Sequence, residues 1–201
     1  MSKTKQGGRP LNADLGIALE NTAREMLIER GYEGFNVDAL VKRVGTTRPA
    51  FYRRYRSLTD LVLRLLLTRY ETQLDRTFDT GRLESDLFAI QSEQLEFFRD
   101  PVINRGLPGF LASLRSDDEL RSAFDEEFLL PRRQATAAIL QRGVARGEVR
   151  EGFDPAWICD LLTGPFILRV QLPEAGPLDE DLVRASVDAA LCVLQRRTSS
   201  G

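Results

Sequence analysis

Residues 44–60 read VGTTRPAFYRRYRSLTD, where four arginines and three aromatic rings crowd together with no acid before Asp60. These residue types spell out the end of one helix, a turn and the start of another. Gly45 stands where a helix can close in the left-handed conformation that glycine tolerates best. Thr47 is placed to cap the following helix. Pro49 falls in that helix's first turn, where its missing N–H leaves no intrahelical bond unmade. Deeper inside, the same proline would cost about 3 kcal/mol. The stretch therefore predicts a helix over 48–55, reached through the turn Gly45-Thr46-Thr47.

Upstream, Asn36 is of the N-cap type and Asp38 suits the positive end of a helix. Val37, Leu40, Val41 and Val44 follow the i, i+3, i+4, i+7 spacing of one buried stripe. Earlier still, 12–30 carries Leu15, Leu19, Ala23, Met26 and Leu27 on one face, with Gly31 placed to end it. Downstream, Ser57 and Asp60 form a capping box opening a fourth helix that runs through Leu61 and Leu65 to Tyr70 and on toward Phe78. Beyond Gly81 the periodicity predicts helices over 83–99, 101–115, 117–146, 155–172 and 180–197. Asp100-Pro101 and Asp154-Pro155 each set a capping acid before a first-turn proline, and Ser116 with Glu119 forms another capping box. Pro131 and Pro165 predict a kink or break inside long helices. Val183, Val187, Ala190 and Leu194 form a seam for packing on another helix, in this chain or in a second copy.

No segment alternates with period two between hairpin signals, so the fold class is all-α. The expected organisation is a flexible basic arm at 1–11, a three-helix helix-turn-helix domain at 12–57, a larger C-terminal helical domain at 58–197 and a disordered tail at 198–201.

Charge separates along the same line. The 201 residues have a net charge of −2, but 1–60 carries 11 Lys+Arg against 7 Asp+Glu and the remainder 17 against 23. A basic module on an acidic body is the pattern of a chain that binds a polyanion. Histidine is absent, which removes the commonest general base and the commonest ligand for zinc. With no paired carboxylate motif either, the expectation is no enzyme, no catalytic residues, no cofactor and no metal site. Apolar runs such as 61–67 are far short of the roughly 20 residues that span a bilayer, and MSKTKQGGRP lacks the apolar stretch of a secretory leader. The expected location is cytoplasmic, without a membrane partner. Cys159 and Cys192 lie in apolar helical patterns and read as reduced thiols.

Two short helices about a three-residue turn containing glycine match a helix-turn-helix, whose second helix lies in the major groove of DNA. The residues also carry a family resemblance. GRP at 8–10, ERGYEGFNVDALVKRVG at 29–45 and TTRPAFYRRYRS at 46–57 closely resemble the N-terminal domain of the tetracycline-repressor-like (TetR/AcrR) family of bacterial transcriptional regulators, over about 8–67. In that family the turn commonly reads G-V-S-K and is followed by Y-R-R-F; here Gly45, Phe51, Tyr52, Arg53, Arg54 and Tyr55 stand at the matching positions. The resemblance implies an all-α homodimer that represses from a palindromic, double-stranded operator and is released by a small-molecule effector.

It also implies roles. Thr46, Thr47, Arg48, Pro49 and Tyr52 match positions facing bases or the adjacent phosphates, and Arg48 has the fork for guanine O6 and N7. Tyr52, Arg53, Arg56 and Asn36 suit the phosphate backbone, with Lys42 and Arg43 approaching from the second helix. Arg9, with Lys3 and Lys5, suits a minor groove. Phe51 and Tyr55 read as core. Many relatives place a lysine after the serine that opens the fourth helix, but this chain has Leu58.

The segment LPRRQATAAILQRGVARGEVREGFDPAWICDLLTGPFILRV at 130–170 extends the resemblance more weakly. It implies a dimer interface on the last two helices, with Ile158, Leu161, Leu162, Pro165, Leu168, Val183, Val187, Ala190, Leu191 and Leu194 as candidates, each also readable as ordinary core. The helices before it would enclose a ligand cavity. Tyr70, Phe98, Phe110, Phe124, Phe128, Trp157 and Phe166 are the aromatic candidates for its lining, with Arg169 or Arg132 to meet an anionic group. Two other readings remain open on the residues alone: a helix-turn-helix adaptor that docks protein rather than DNA, and an enzyme built in the body's cavity.

Overall fold

In a computed structural model of the chain, residues 11–74, 78–149 and 152–195 are described, apart from the side chains of 11–13, 71–74 and 195. The described residues form helices joined by turns, with no strand among them. In chain order these are α1 (Leu11–Arg30), α2 (Val37–Val44), α3 (Arg48–Tyr52), α4 (Leu58–Leu74), α5 (Leu83–Arg99), α6 (Pro101–Ser113), α7 (Asp118–Phe124), α8 (Leu130–Ala145), α9 (Pro155–Gln171) and α10 (Glu180–Gln195). The expected extension of α4 toward Phe78 crosses residues outside those described, as do the arm with Arg9 and the tail past 195.

Local chemistry accounts for most boundaries. Asp100 Oδ1 accepts from the N–H groups of Val102 and Ile103, and Asp154 Oδ1 accepts from Ala156 N at 2.9 Å, so both expected caps form. Asp179 caps α10 by accepting from Leu182 N at 3.0 Å. Ser116 is not the cap of α7: Asp117 takes that place, accepting from Leu120 N at 2.9 Å, while Ser116 Oγ donates back to Ser113 O at 3.2 Å.

The long helix expected over 117–146 is divided. A π-helical turn, Asp125–Leu129, separates α7 from α8. Pro131 explains its position, because its ring clashes with the carbonyl four residues back and it has no N–H to offer. The wider π turn relieves that conflict without ending the helical path. Pro165 lies inside α9, which is continuous from Pro155 to Gln171, and α6 contains Pro108 in the same way.

The packing runs through both ends of the chain. One apolar cluster joins Leu19, Met26 and Leu27 of α1, Leu40 of α2 and Phe51 of α3 to α4 and on to Phe97, Phe110, Phe124 and Phe166. A second cluster, including Leu87, Leu140, Ile158, Leu162, Val187 and Leu194, fills the space between α5, α8, α9 and α10.

The first cluster is continuous because α1 and its following turn lie close on α6. Gly106 faces Leu27 and Val62, and the ring of Tyr32 covers Gly109 so tightly that a Cβ there would fall 2.2 Å from Tyr32 Cδ1. The Tyr32 hydroxyl then lies 3.1 Å from Thr59 Oγ1 on α4 and 3.0 Å from Ser113 Oγ on α6. Substituting Gly109→Ala is expected to lower stability by about 1–3 kcal/mol through overpacking against Tyr32. Thermal unfolding of the variant, which should melt several degrees lower, checks this.

Candidate nucleic-acid interface and ligand cavity

The turn between α2 and α3 is built by hydrogen bonds that its residues dictate. Asn36 Oδ1 accepts from Ala39 N at 2.9 Å and starts α2. At the other end Gly45 adopts φ 76°, its N–H reaching Lys42 O at 3.3 Å while Thr46 N–H reaches Val41 O at 2.9 Å. This pair of bonds is a Schellman closure, which needs the left-handed residue that glycine supplies. Thr47 Oγ1 then accepts from Ala50 N at 3.4 Å and opens α3.

α3 is shorter than the sequence pattern predicts. It ends at Tyr52, after which Arg54 N–H bonds Phe51 O at 2.9 Å and Tyr55 N–H bonds the same carbonyl at 3.1 Å. The tightened turn swings Tyr55 under α3 rather than continuing the helix. Phe51 and Tyr55 are buried, with ring centroids 5.5 Å apart, and the Tyr55 hydroxyl donates to Glu20 Oε1 at 3.0 Å. Burial, reinforced by that bond to Glu20, pushes the Tyr55 hydroxyl up to about 12.

The opposite face of α3 is open to solvent. Thr47, Arg48, Pro49, Tyr52 and Arg53 are all exposed, as are Asn36 and Lys42 on the α2 side, while Thr46 is half-buried in the turn. Arg48 makes an exposed ion pair with Asp38 at 3.2 Å, and its guanidinium pKa is raised by a bond to Tyr52 and by the Asp38 charge. An exposed pair of this kind is weak and exchanges readily for another anion.

Two of the expected phosphate contacts are engaged elsewhere. Arg43 forks onto Glu29 of α1 at 2.6 and 2.8 Å and also reaches Glu25 at 2.9 Å, clamping α2 to α1. That bond holds the Glu29 carboxyl below its ordinary value. Arg56 pairs with Glu119 at the start of α7, and its N–H donates to Asp60 Oδ2 at 3.0 Å. Leu58, where many relatives carry lysine, is half-buried against the apolar core.

In the larger half, a cavity of about 50 Å³ lies where α4, α5, α8 and α9 converge, between the two apolar clusters. Tyr70 is the one residue of the sequence-derived aromatic set that lines it. Phe98, Phe110, Phe124, Phe128 and Phe166 are buried in the core instead, stacked in pairs such as Phe124–Phe128 at 5.0 Å and Phe98–Phe166 at 5.8 Å. Trp157 is 56% exposed, and Arg169 bonds Pro165 O at 3.1 Å away from the cavity.

The polar lining is Gln91, Gln94, Arg132, Thr136 and Thr163, with Cys159 beside them and the partly exposed Glu93. Sequence reasoning passed over the glutamines and threonines. A signal was present, since Gln91 and Gln94 stand at i+4 and i+7 from Leu87 and so interrupt an apolar stripe with polar residues.

The expected dimer seam divides between two environments. Ile158, Leu162, Val183, Val187, Ala190 and Leu194 are buried within the chain, packing α10 on α5 and α9. Leu161, Pro165 and Leu191 are half-buried, and Leu168 is 48% exposed. On α9, Trp157, Leu161 and Leu168 instead lie along the outer side, with Gly164 between them and the exposed Leu172 just past the helix end. Among the described residues no helix is long and apolar enough to cross a membrane, and no group of three or more metal-ligating side chains is gathered in one place.

A capped, solvent-facing second helix, set across a three-residue turn on a basic surface, defines a DNA-binding protein of the helix-turn-helix class. Comparison with known proteins makes the assignment narrower. Residues 21–65 match the family of bacterial regulatory proteins called the tetR family, and residues 77–190 match the tetracyclin repressor-like C-terminal domain. The chain belongs to this family, whose members are DNA-binding transcriptional regulators with ligand-binding C-terminal domains. It is 28% identical, over 89% of its length and 93% of the relative's, to the DNA-binding transcriptional repressor TetR of Mycobacteroides abscessus. Its fold is shared with the TetR family transcriptional regulator PfmR of Thermus thermophilus, with a TM-score of 0.65 and 22% identity over 89% of this chain and 99% of that one. A transcriptional regulator FadR from Bacillus subtilis, crystallised in complex with stearoyl-CoA, gives a TM-score of 0.62 and 20% identity over 89% and 96% of the two chains.

Because α3 has only five residues, its ends decide its shape. Gly45→Ala and Thr47→Ala are each expected to destabilise the protein by about 1 kcal/mol, the first by backbone strain and the second by loss of the cap. Denaturant midpoints that fall while the slope of the transition stays constant would report this.

Proposed function

We propose that the chain is a ligand-responsive, homodimeric repressor that reads a palindromic operator through α3 and leaves it when a small molecule occupies the cavity beside Tyr70. The observation that carries this reading is the division of α3 into two faces: Phe51 buried beneath, Arg48, Pro49 and Tyr52 exposed above. Arg48 exchanges Asp38 for a guanine edge, Pro49 and Thr47 pack on bases, and Tyr52, Arg53, Thr46, Asn36 and Lys42 meet phosphates. Arg43 clamps α2 to α1 through Glu29, while Arg56, whose pair with Glu119 is as open to solvent as that of Arg48, exchanges it for a phosphate. The reading unit is 12–57 and the ligand-binding and dimerising body 58–197, with Arg9 in the arm serving an adjacent minor groove. No catalytic role is assigned, and the protein acts in the cytoplasm, where its operator lies.

Dimerisation is supported by the outward stripe of Trp157, Leu161, Leu168 and Leu172, a row of apolar side chains that a second copy covers across a twofold axis. Two copies present their α3 helices to successive major grooves about 34–36 Å apart. Coupling is supported by the size of the cavity. A space of about 50 Å³ holds a few water molecules, so an organic effector must push its walls apart. One wall is Tyr70, on the same helix whose first turn meets Tyr32 through Thr59. Displacing α4 therefore moves the reading unit and changes the half-site separation, which is a coupling free energy between two sites.

Binding to the DNA upstream of its own gene, measured by fluorescence anisotropy across a salt series, tests the reading. Arg48→Ala should weaken specific binding roughly tenfold or more and relax base preference, as loss of a bidentate base contact does. Lys42→Ala should reduce the salt slope by about one. Binding insensitive to salt and to Arg48 would instead favour a protein-docking role.

A further inference from the structure

Arg132 on α8 is only 8% exposed, and it lines the cavity between the aromatic core and the polar wall of α5. Its guanidinium carbon lies 5.1 Å from the ring centres of both Tyr70 and Phe128, 5.4 Å from that of Phe97 and 6.0 Å from that of Phe98. Nη2 donates to Gln94 Oε1, and no other protein acceptor meets this guanidinium among the described residues. A guanidinium is always charged and carries five N–H donors in a planar fork.

The ring cage offsets part of the cost of burial but accepts no hydrogen bond in the plane of the fork. A buried cation ordinarily sits against a carboxylate. Here the position that would supply one is occupied by a neutral amide. Gln94 is held in its orientation, with Nε2 donating to Leu162 O at 3.3 Å and Oε1 also accepting from Thr163 Oγ1 at 3.3 Å. Glu93, the one carboxylate on the cavity wall among the described residues, is partly exposed, and the side chain bonded to Arg132 is the amide of Gln94.

We infer that the effector is a small organic monocarboxylate, whose carboxylate is taken by Arg132 and whose apolar body lies against Ile90, Leu162 and the ring of Tyr70. This deepens the proposed function and rests on its assignment of the cavity to the effector. The fork of Arg132 matches the two oxygens of a carboxylate, and Tyr70 and Thr136, which line the same space, each carry a hydroxyl that can serve as a neutral donor. A bound acid supplies the counter-charge that the described residues around Arg132 leave out, so part of its affinity comes from relieving an existing imbalance.

The test uses the full-length protein with benzoate, phenylacetate and decanoate, each beside its amide, read by thermal shift, by calorimetry and by release from operator DNA. At least one acid is expected to raise the melting temperature while its amide does not. Arg132→Met and Gln94→Glu should weaken that acid roughly tenfold or more, the second by neutralising Arg132 from within the chain. Arg132→Lys should keep part of the affinity. Melting curves of the ligand-free variants confirm that each is folded, and Gln94→Glu differs from the wild type by little more than a charge. Failure of all three acids, equal binding of an acid and its amide, or unchanged binding by Gln94→Glu overturns the inference. DNA binding that survives any of those results leaves the repressor reading standing, and acid binding through Arg132 without operator release would bring down the coupling and not the ligand class.

Discussion

The close approach of α1 to α6 is the constraint on which the other parts depend. It exists because two positions on α6, Gly106 and Gly109, carry no side chain where Leu27, Val62 and Tyr32 come down on them. A side chain at Gly109 would overlap the ring of Tyr32, whereas Gly106 has room for a methyl in ordinary contact with Leu27 and Val62, so the tightest point of the approach is Gly109, beside the cluster that runs from Phe51 to Phe166. Tyr32 then adds a polar tie, since its hydroxyl meets Thr59 of α4 and Ser113 of α6 together. α1 and the turn after it are thus tied to α4 and α6 by both apolar packing and hydrogen bonds.

The cavity follows from the same arrangement. The space between the two apolar clusters is bounded by Tyr70 of the first and Leu162 of the second, and by polar side chains that belong to neither: Gln91, Gln94, Arg132 and Thr136. Gln91 is bonded on both sides of the gap, donating to Leu162 O at 2.9 Å and Ser186 Oγ at 2.8 Å. Side chains tied across the helices in this way hold such a gap open at little cost, where apolar ones would collapse into it. The π turn before α8 belongs here too, because it sets the register that brings Phe124, Phe128 and Arg132 onto one side.

Sequence reasoning reached the parts of this structure that are fixed locally. Asn36, Gly45, Thr47, Asp100 and Asp154 act on backbone groups within a few residues of themselves, so their roles could be read without knowing what lies across the fold. It was misled where two local signals competed, as at Ser116 and Asp117, or where an apolar residue at helical spacing belongs to a turn, as at Tyr55. The inward face of α10 was legible as a seam, but its partner within the chain, α5 and α9, depends on topology. The aromatic residues of the body were visible as a group, yet which of them border a space and which fill one is decided by contacts between distant helices. Arg43 and Arg56 illustrate the same limit in charge: their cationic character was legible, and the acids that hold them, Glu29 and Glu119, come from elsewhere in the chain.

On α3 the side chains that shape the helix and those that face outward are different residues. Phe51, Ala50, the cap at Thr47 and the glycine at 45 maintain the framework, while Arg48, Pro49 and Tyr52 project from it and are exposed. On the proposed reading, a lineage carrying this framework changes what it recognises by substitution at three surface positions and leaves its folding almost untouched. Descendants of one ancestral gene could part company in the promoters they control long before they part company in shape.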